Sequence, residues 1–104
     1  MKNIADIRQE YTKSGLRESE LPCDPLSLFS RWLQEAIDAN VEEPTAIIVG
    51  TVSPEGRPST RTVLLKGLHD GKFIFYTNYE SRKGRQLAQN PYISLSFVWH
   101  ELDR

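Results

Sequence analysis

The chain has 104 residues, 38% of them hydrophobic and 26% charged. That is one modest domain at most, with the composition of a globular fold rather than a disordered or membrane-spanning one. The formal net charge of −1 argues against a strongly basic nucleic-acid binder or an acidic tail protein.

Ile4, Ile7 and Tyr11 fall on one helical stripe, and Gly15 is a plausible stop, so a short first helix is expected. No apolar run follows Lys2, so no signal peptide is expected. No stretch approaches the ~20 apolar residues of a membrane span, and the cytoplasm is the default location. Cys23 is the only cysteine, which excludes an internal disulfide and the common zinc spacings.

A second helix is marked more strongly. Asp24 can cap it, and Pro25 suits the first helical position, where its missing N–H costs nothing. Leu26, Phe29, Leu33, Ala36 and Ile37 then recur at helical spacing, and the helix is expected to end near Asn40.

After Glu43-Pro44 the pattern turns to strands. Thr45–Val52 is β-branched and apolar, a buried strand. Ser53-Pro54-Glu55-Gly56 reads as a turn, and Arg57–Lys66 as a second strand. Asp70-Gly71 is another turn, leading to a third strand at Lys72–Asn78. Ser81 can cap a short helix, Arg82 to Gln89, closed by Asn90-Pro91. Tyr92–Trp99 alternates with period two, a fourth strand. Short connections favour antiparallel neighbours among the first three strands. The fold class is therefore mainly β (α+β), an antiparallel sheet forming part of a barrel with a helix packed on it. The apolar Phe97-Val98-Trp99-His100 lies close to the end of the sequence. Either the protein oligomerises or the chain is a piece of something longer.

The near-zero charge is a cancellation. Residues 1–45 hold five basic and nine acidic residues, whereas 57–85 hold seven basic and two acidic ones, a local net of +5. A basic middle of this kind can mark an anion site or a solvated face. Local signatures for dinucleotide loops, P-loops, nucleophile elbows and zinc proteases are missing, and His69 and His100 each lack an obvious partner. What remains is the run Tyr76 to Lys83, where a strand end leads into a helix start. The first N–H groups of a helix lack partners and its dipole is positive there. With Arg82 and Lys83 added, the place suits a phosphate. Arg61 and Lys66 bracket an apolar run upstream. Strict alternation puts them on opposite faces, so they need not serve the same phosphate.

These residues resemble a known family. Arg61-Thr62-Val63-Leu64-Leu65-Lys66, Phe75-Tyr76-Thr77-Asn78 and Ser81-Arg82-Lys83 are similar to the motifs of pyridoxamine 5′-phosphate oxidases. So are Arg8-Gln9-Glu10-Tyr11-Thr12 with Gly15-Leu16, Leu21-Pro22, Asp24-Pro25, Asn90-Pro91 and Trp99-His100, in family order along essentially the whole chain.

The resemblance implies an FMN-binding split β-barrel that works as a homodimer with flavin at the subunit interface. Residues 1–44 would form an N-terminal helical segment, and residues 45–104 the first part of the barrel, left incomplete. It also implies oxidation of pyridoxamine or pyridoxine 5′-phosphate to pyridoxal 5′-phosphate, a step of vitamin B6 metabolism. Dioxygen would be the acceptor and hydrogen peroxide a product. The implied cofactor contacts are Arg61, Thr62, Val63, Leu64, Leu65, Lys66, Tyr76, Thr77, Arg82 and Lys83. Arg61 would lie on the FMN phosphate side with Arg82 and Lys83. The implied substrate contacts are Arg8, Gln9, Glu10, Tyr11 and Lys66. No metal is implied, and no nucleic-acid or membrane partner. Family members are considerably longer than this chain, and the implied catalytic residues fall in the half it lacks. The chain is therefore expected to be an N-terminal fragment or truncated frame.

Two alternatives belong to other classes. A non-catalytic or reductase-type FMN-binding split-barrel protein would have no need of the Arg8–Tyr11 segment or Lys66. A nucleic-acid-binding β-barrel would use the basic middle with Phe73, Phe75, Tyr76 and Tyr79 as a stacking platform.

Overall fold

The computed structural model describes residues 3–8, 15–77 and 81–104, without the side chain of Arg82. The described residues fall into two compact units. One comprises those up to Val41 together with Trp99–Arg104, and the other runs from Glu42 to Val98.

The first unit is built on helix α1, Pro25–Asp38. Asp24 caps it as expected: its Oδ1 accepts from the Leu26 N–H at 3.2 Å, and Pro25 occupies the first turn. Ala36 is fully buried, and Leu26, Phe29 and Leu33 on the same stripe are half-buried. Ile37, expected on that stripe, is 44% exposed. The Phe29 ring lies 5.9 Å from that of Trp99, itself buried. The Arg104 guanidinium sits 4.2 Å above the Trp32 ring and pairs with Glu35. Within the expected first helix the described residues form a 3-10 turn, Ile4–Asp6, capped by Asn3, and Ile7 and Arg8 lie outside it. Ile4 and Ile7 are exposed. Tyr11 lies outside the described residues.

Among its described residues the second unit holds five strands and one helix. Strand β1 (Ala46–Val52) is central, with β2 (Pro58–Leu64) on one side and β5 (Ser94–Ser96) on the other, all antiparallel. Strands β3 (Gly67–His69) and β4 (Lys72–Ile74) form a separate antiparallel hairpin. Helix α2 (Arg82–Gln89) has the bounds expected from its cap and its closing Asn90-Pro91. The sheets are antiparallel, as a split barrel requires, and no barrel closes among the described residues.

One face of β1 carries the core: Ile47, Val49 and Thr51 are buried there. The other face leaves Ile48 43% and Leu64 44% exposed.

The expected second and third strands are not simple neighbours. At Leu65 the backbone N–H still donates to Thr45 O at 2.8 Å, whereas that of Lys66 donates to Ile74 O at 2.7 Å. The chain thus changes sheets between two consecutive residues. Asp70 and Gly71, with φ of 49° and 71°, form the tight two-residue turn joining β3 to β4. Positive φ at both central positions matches the right-handed twist of the strands. The expected fourth strand shrinks to three residues because β5 pairs with β1 only from Ser94 to Ser96. Phe97 turns instead against Phe73, with ring centroids 6.3 Å apart. That contact uses Phe73 inside the unit rather than on a stacking surface. No helix among the described residues is long and apolar enough to cross a membrane.

Candidate functional site

The site forms where α2 meets β2. Ser81 adopts the extended conformation of a cap, and its Oγ accepts from the Gly84 N–H at 3.0 Å. The remaining N–H groups of the first turn have no partner within the helix and point out of its positive end. Lys83 emerges there, yet it is only 6% exposed. Its Nζ lies 5.8 Å from the centre of the Phe75 ring, an attraction between ammonium and π-face. Burial, and secondarily the nearby charge of Arg61, hold Lys83 below the ordinary lysine range.

Arg61 is exposed on β2 and its charge acts on Lys83, which is unfavourable for the protein alone. A phosphate placed between them reverses the sign of the interaction and accepts hydrogen bonds from both. Thr77 adds a second sign of an absent partner. Among the described residues its Oγ1 is the buried side-chain oxygen or nitrogen without a hydrogen bond. Buried hydroxyls are normally satisfied, so an orphan invites a ligand.

The other residues singled out from sequence are distributed as follows. Thr62 and Lys66 are exposed, Val63 is half-buried, Leu64 is 44% exposed and Leu65 is buried. This run contains the change of sheet at Leu65-Lys66 described above. The charge of Arg61 acts on Lys83. Tyr76 is 74% exposed. Arg82 takes its expected place in the first turn of α2. Arg8 is exposed and belongs to the other unit. Gln9, Glu10 and Tyr11, with Asn78, Tyr79 and Glu80, lie outside the described residues.

Sequence reasoning missed Gln86, Thr51 and Ser59. Gln86 is buried, and its Oε1 accepts from Thr51 Oγ1 at 2.5 Å and from Ser59 Oγ at 2.9 Å. The available signal was the composition of α2, which is almost devoid of apolar residues and needs polar contacts to dock.

Residues 33–104 match the family model described as pyridoxamine 5′-phosphate oxidase. The chain belongs to the pyridoxamine 5′-phosphate oxidase family. Its curated relatives include a pyridoxine/pyridoxamine 5′-phosphate oxidase from Bacteroides thetaiotaomicron, 99% identical over all 104 residues, which cover 49% of that protein. The enzyme of the same name from Porphyromonas gingivalis is 58% identical over 98% of this chain and 48% of its own length. The chain thus spans about half the length of these family members. Among solved structures, PhzG from Burkholderia lata, crystallised with tetrahydrophenazine-1-carboxylic acid, superposes with a TM-score of 0.77 at 36% identity. The match covers 80% of this chain and 41% of PhzG. A pyridoxamine 5′-phosphate oxidase-related, FMN-binding protein from Nostoc punctiforme shares the fold at a TM-score of 0.61 and 23% identity, over 73% of this chain and 40% of its own.

Proposed function

We propose that this chain supplies the phosphate-binding half of an FMN-dependent oxidase acting on pyridoxamine or pyridoxine 5′-phosphate. The observation that carries the reading is the buried Lys83 in the first turn of the capped helix α2, within reach of the charge of Arg61. Supporting it, the buried Thr77 Oγ1 has no hydrogen-bond partner and lies four residues before the cap Ser81.

In this reading Arg61, Arg82 and Lys83 hold the FMN phosphate, and the open N–H groups of α2 add to the attraction. Thr62, Val63, Leu64, Leu65 and Lys66 supply backbone along the flavin ring, with Tyr76 and Thr77 beside it. Lys66 also serves the substrate phosphate, and Arg8, Gln9, Glu10 and Tyr11 close over the substrate. The chemistry FMN supplies when bound is acceptance of hydride from the substrate carbon, with dioxygen as final acceptor and hydrogen peroxide released. The residues of this chain bind and orient.

The test uses the intact Bacteroides thetaiotaomicron relative, 49% of which this sequence covers at 99% identity. It is expected to purify yellow and to produce hydrogen peroxide with pyridoxamine 5′-phosphate. A protein that purifies colourless and ignores added FMN would overturn the reading.

The working form proposed is a homodimer. The uncovered face of the β2–β1–β5 sheet supports this, because Ile48 and Leu64 lie there as diagonal neighbours across the ladder. Sedimentation of the intact protein is expected to give a dimer, and Ile48→Glu to shift it toward monomer with its circular dichroism intact. A wild-type monomer at micromolar concentration refutes this.

A further inference from the structure

Helix α2 has little apolar surface with which to dock. Of its eight residues only Leu87 and Ala88 are apolar beyond Gly84. Its hold on the sheet is polar: the single oxygen Oε1 of Gln86 takes hydrogen bonds from Thr51 and Ser59. Those two residues face each other across the β1–β2 ladder, so one helix side chain bridges a cross-strand pair. Thr51 is 2% and Gln86 8% exposed, so no water competes freely for these bonds. Fully satisfied buried polar contacts fix one arrangement, whereas apolar contacts tolerate sliding and rotation.

The spacing then matters. Arg61 lies two residues beyond Ser59, on the same face of β2 and about 6.6 Å along it. Lys83 lies three residues before Gln86, on the same side of α2 and about 4.5 Å along it. Anchoring Gln86 over Ser59 therefore fixes where Lys83 falls relative to Arg61.

We propose that Gln86 is a positioning residue. Through Thr51 and Ser59 it sets the rotation and height of α2, and thereby aligns Lys83 with Arg61 for a phosphate monoester. The proposal rests on the FMN reading above and concerns only the phosphate end of that ligand.

The test compares FMN with riboflavin, which lacks the phosphate, by fluorescence titration of the intact relative. Wild type is expected to prefer FMN strongly. Gln86→Met keeps the length and removes the acceptor. It is expected to lower the FMN preference about tenfold while leaving riboflavin affinity nearly unchanged. Ser59→Ala removes one of the two bonds and is expected to give a smaller loss of the same kind. It decides the matter if Gln86→Met does not fold. A merely structural role for Gln86 would weaken both ligands in parallel, and an unchanged FMN preference in either folded variant overturns the proposal. A wild type with no FMN preference refutes the FMN reading itself, and the proposal with it.

Discussion

Replacing Lys83 by methionine is expected to weaken FMN binding by about tenfold to a hundredfold. Hydrogen bonds between charged partners contribute about 1.5–3 kcal/mol each, and Lys83 would make such a bond to the phosphate. Methionine is of similar length and removes the ammonium group that lies over the Phe75 ring. The same substitution is expected to leave the flavin-free protein as stable as wild type or more so, because relief of the buried charge and of its repulsion by Arg61 outweighs the lost attraction to the Phe75 ring. Opposite signs in the two measurements mark a residue placed for a ligand rather than for the fold. Flavin titration gives the first, urea unfolding without flavin the second.

The pH dependence follows from the same contacts. Folding lowers the pKa of Lys83 below 10.5, so the unfolded chain binds the proton more tightly. At pH below the folded value the destabilisation is fully present. It is relieved as the pH rises from the folded value toward 10.5, where stability without flavin is expected to increase. FMN affinity is expected to fall over that interval, since the phosphate stays doubly charged while Lys83 loses its proton. Lys83→Met should abolish Lys83's contribution to both slopes. A variant whose stability and affinity keep the wild-type pH dependence would remove Lys83 from the site.

Ile47→Ala is expected to cost about 2–5 kcal/mol, the range for truncating a fully buried isoleucine. Ile47 is 0% exposed and lies on β1, which is paired on both sides. Its cross-strand partner Val63 stands in the strand that presents Arg61. Small domains are stable by only about 5–15 kcal/mol, so the loss is a large share of the total. In urea the midpoint should fall by roughly one to a few molar with little change in slope. An unchanged midpoint would mean that β1 is not the centre of the core.

What could be read from the chain depended on how local the cause was. The bounds of α2 and the start of α1 follow from single side chains, Ser81, Asp24 and Pro25, acting on their own backbone. Strand lengths are set by partners distant in sequence. Tyr92–Trp99 alternates cleanly, yet only Ser94–Ser96 finds β1 to pair with. The change of sheet at Leu65-Lys66 leaves no mark in a run that reads as continuous strand. The cations of the site were visible as a basic middle, and Lys83 at a helix start was named from its position. Its proximity to Arg61 was not visible, because it depends on the docking of α2 through Gln86. That docking joins residues 35 and 27 positions apart.

The same separations bear on the order of assembly. A five-residue connection joins β1 to β2, so their pairing closes a short loop at small entropic cost. Helix α2 is eight residues long and too short to persist alone in water. It gains its hold only when the finished hairpin presents Thr51 and Ser59 together. The hairpin therefore forms first and the helix condenses on it, and on local opening the helix leaves first. A nascent chain would acquire the proposed anion site only after its β1–β2 hairpin, and a ligand that grips the helix start would act as the final clasp of folding.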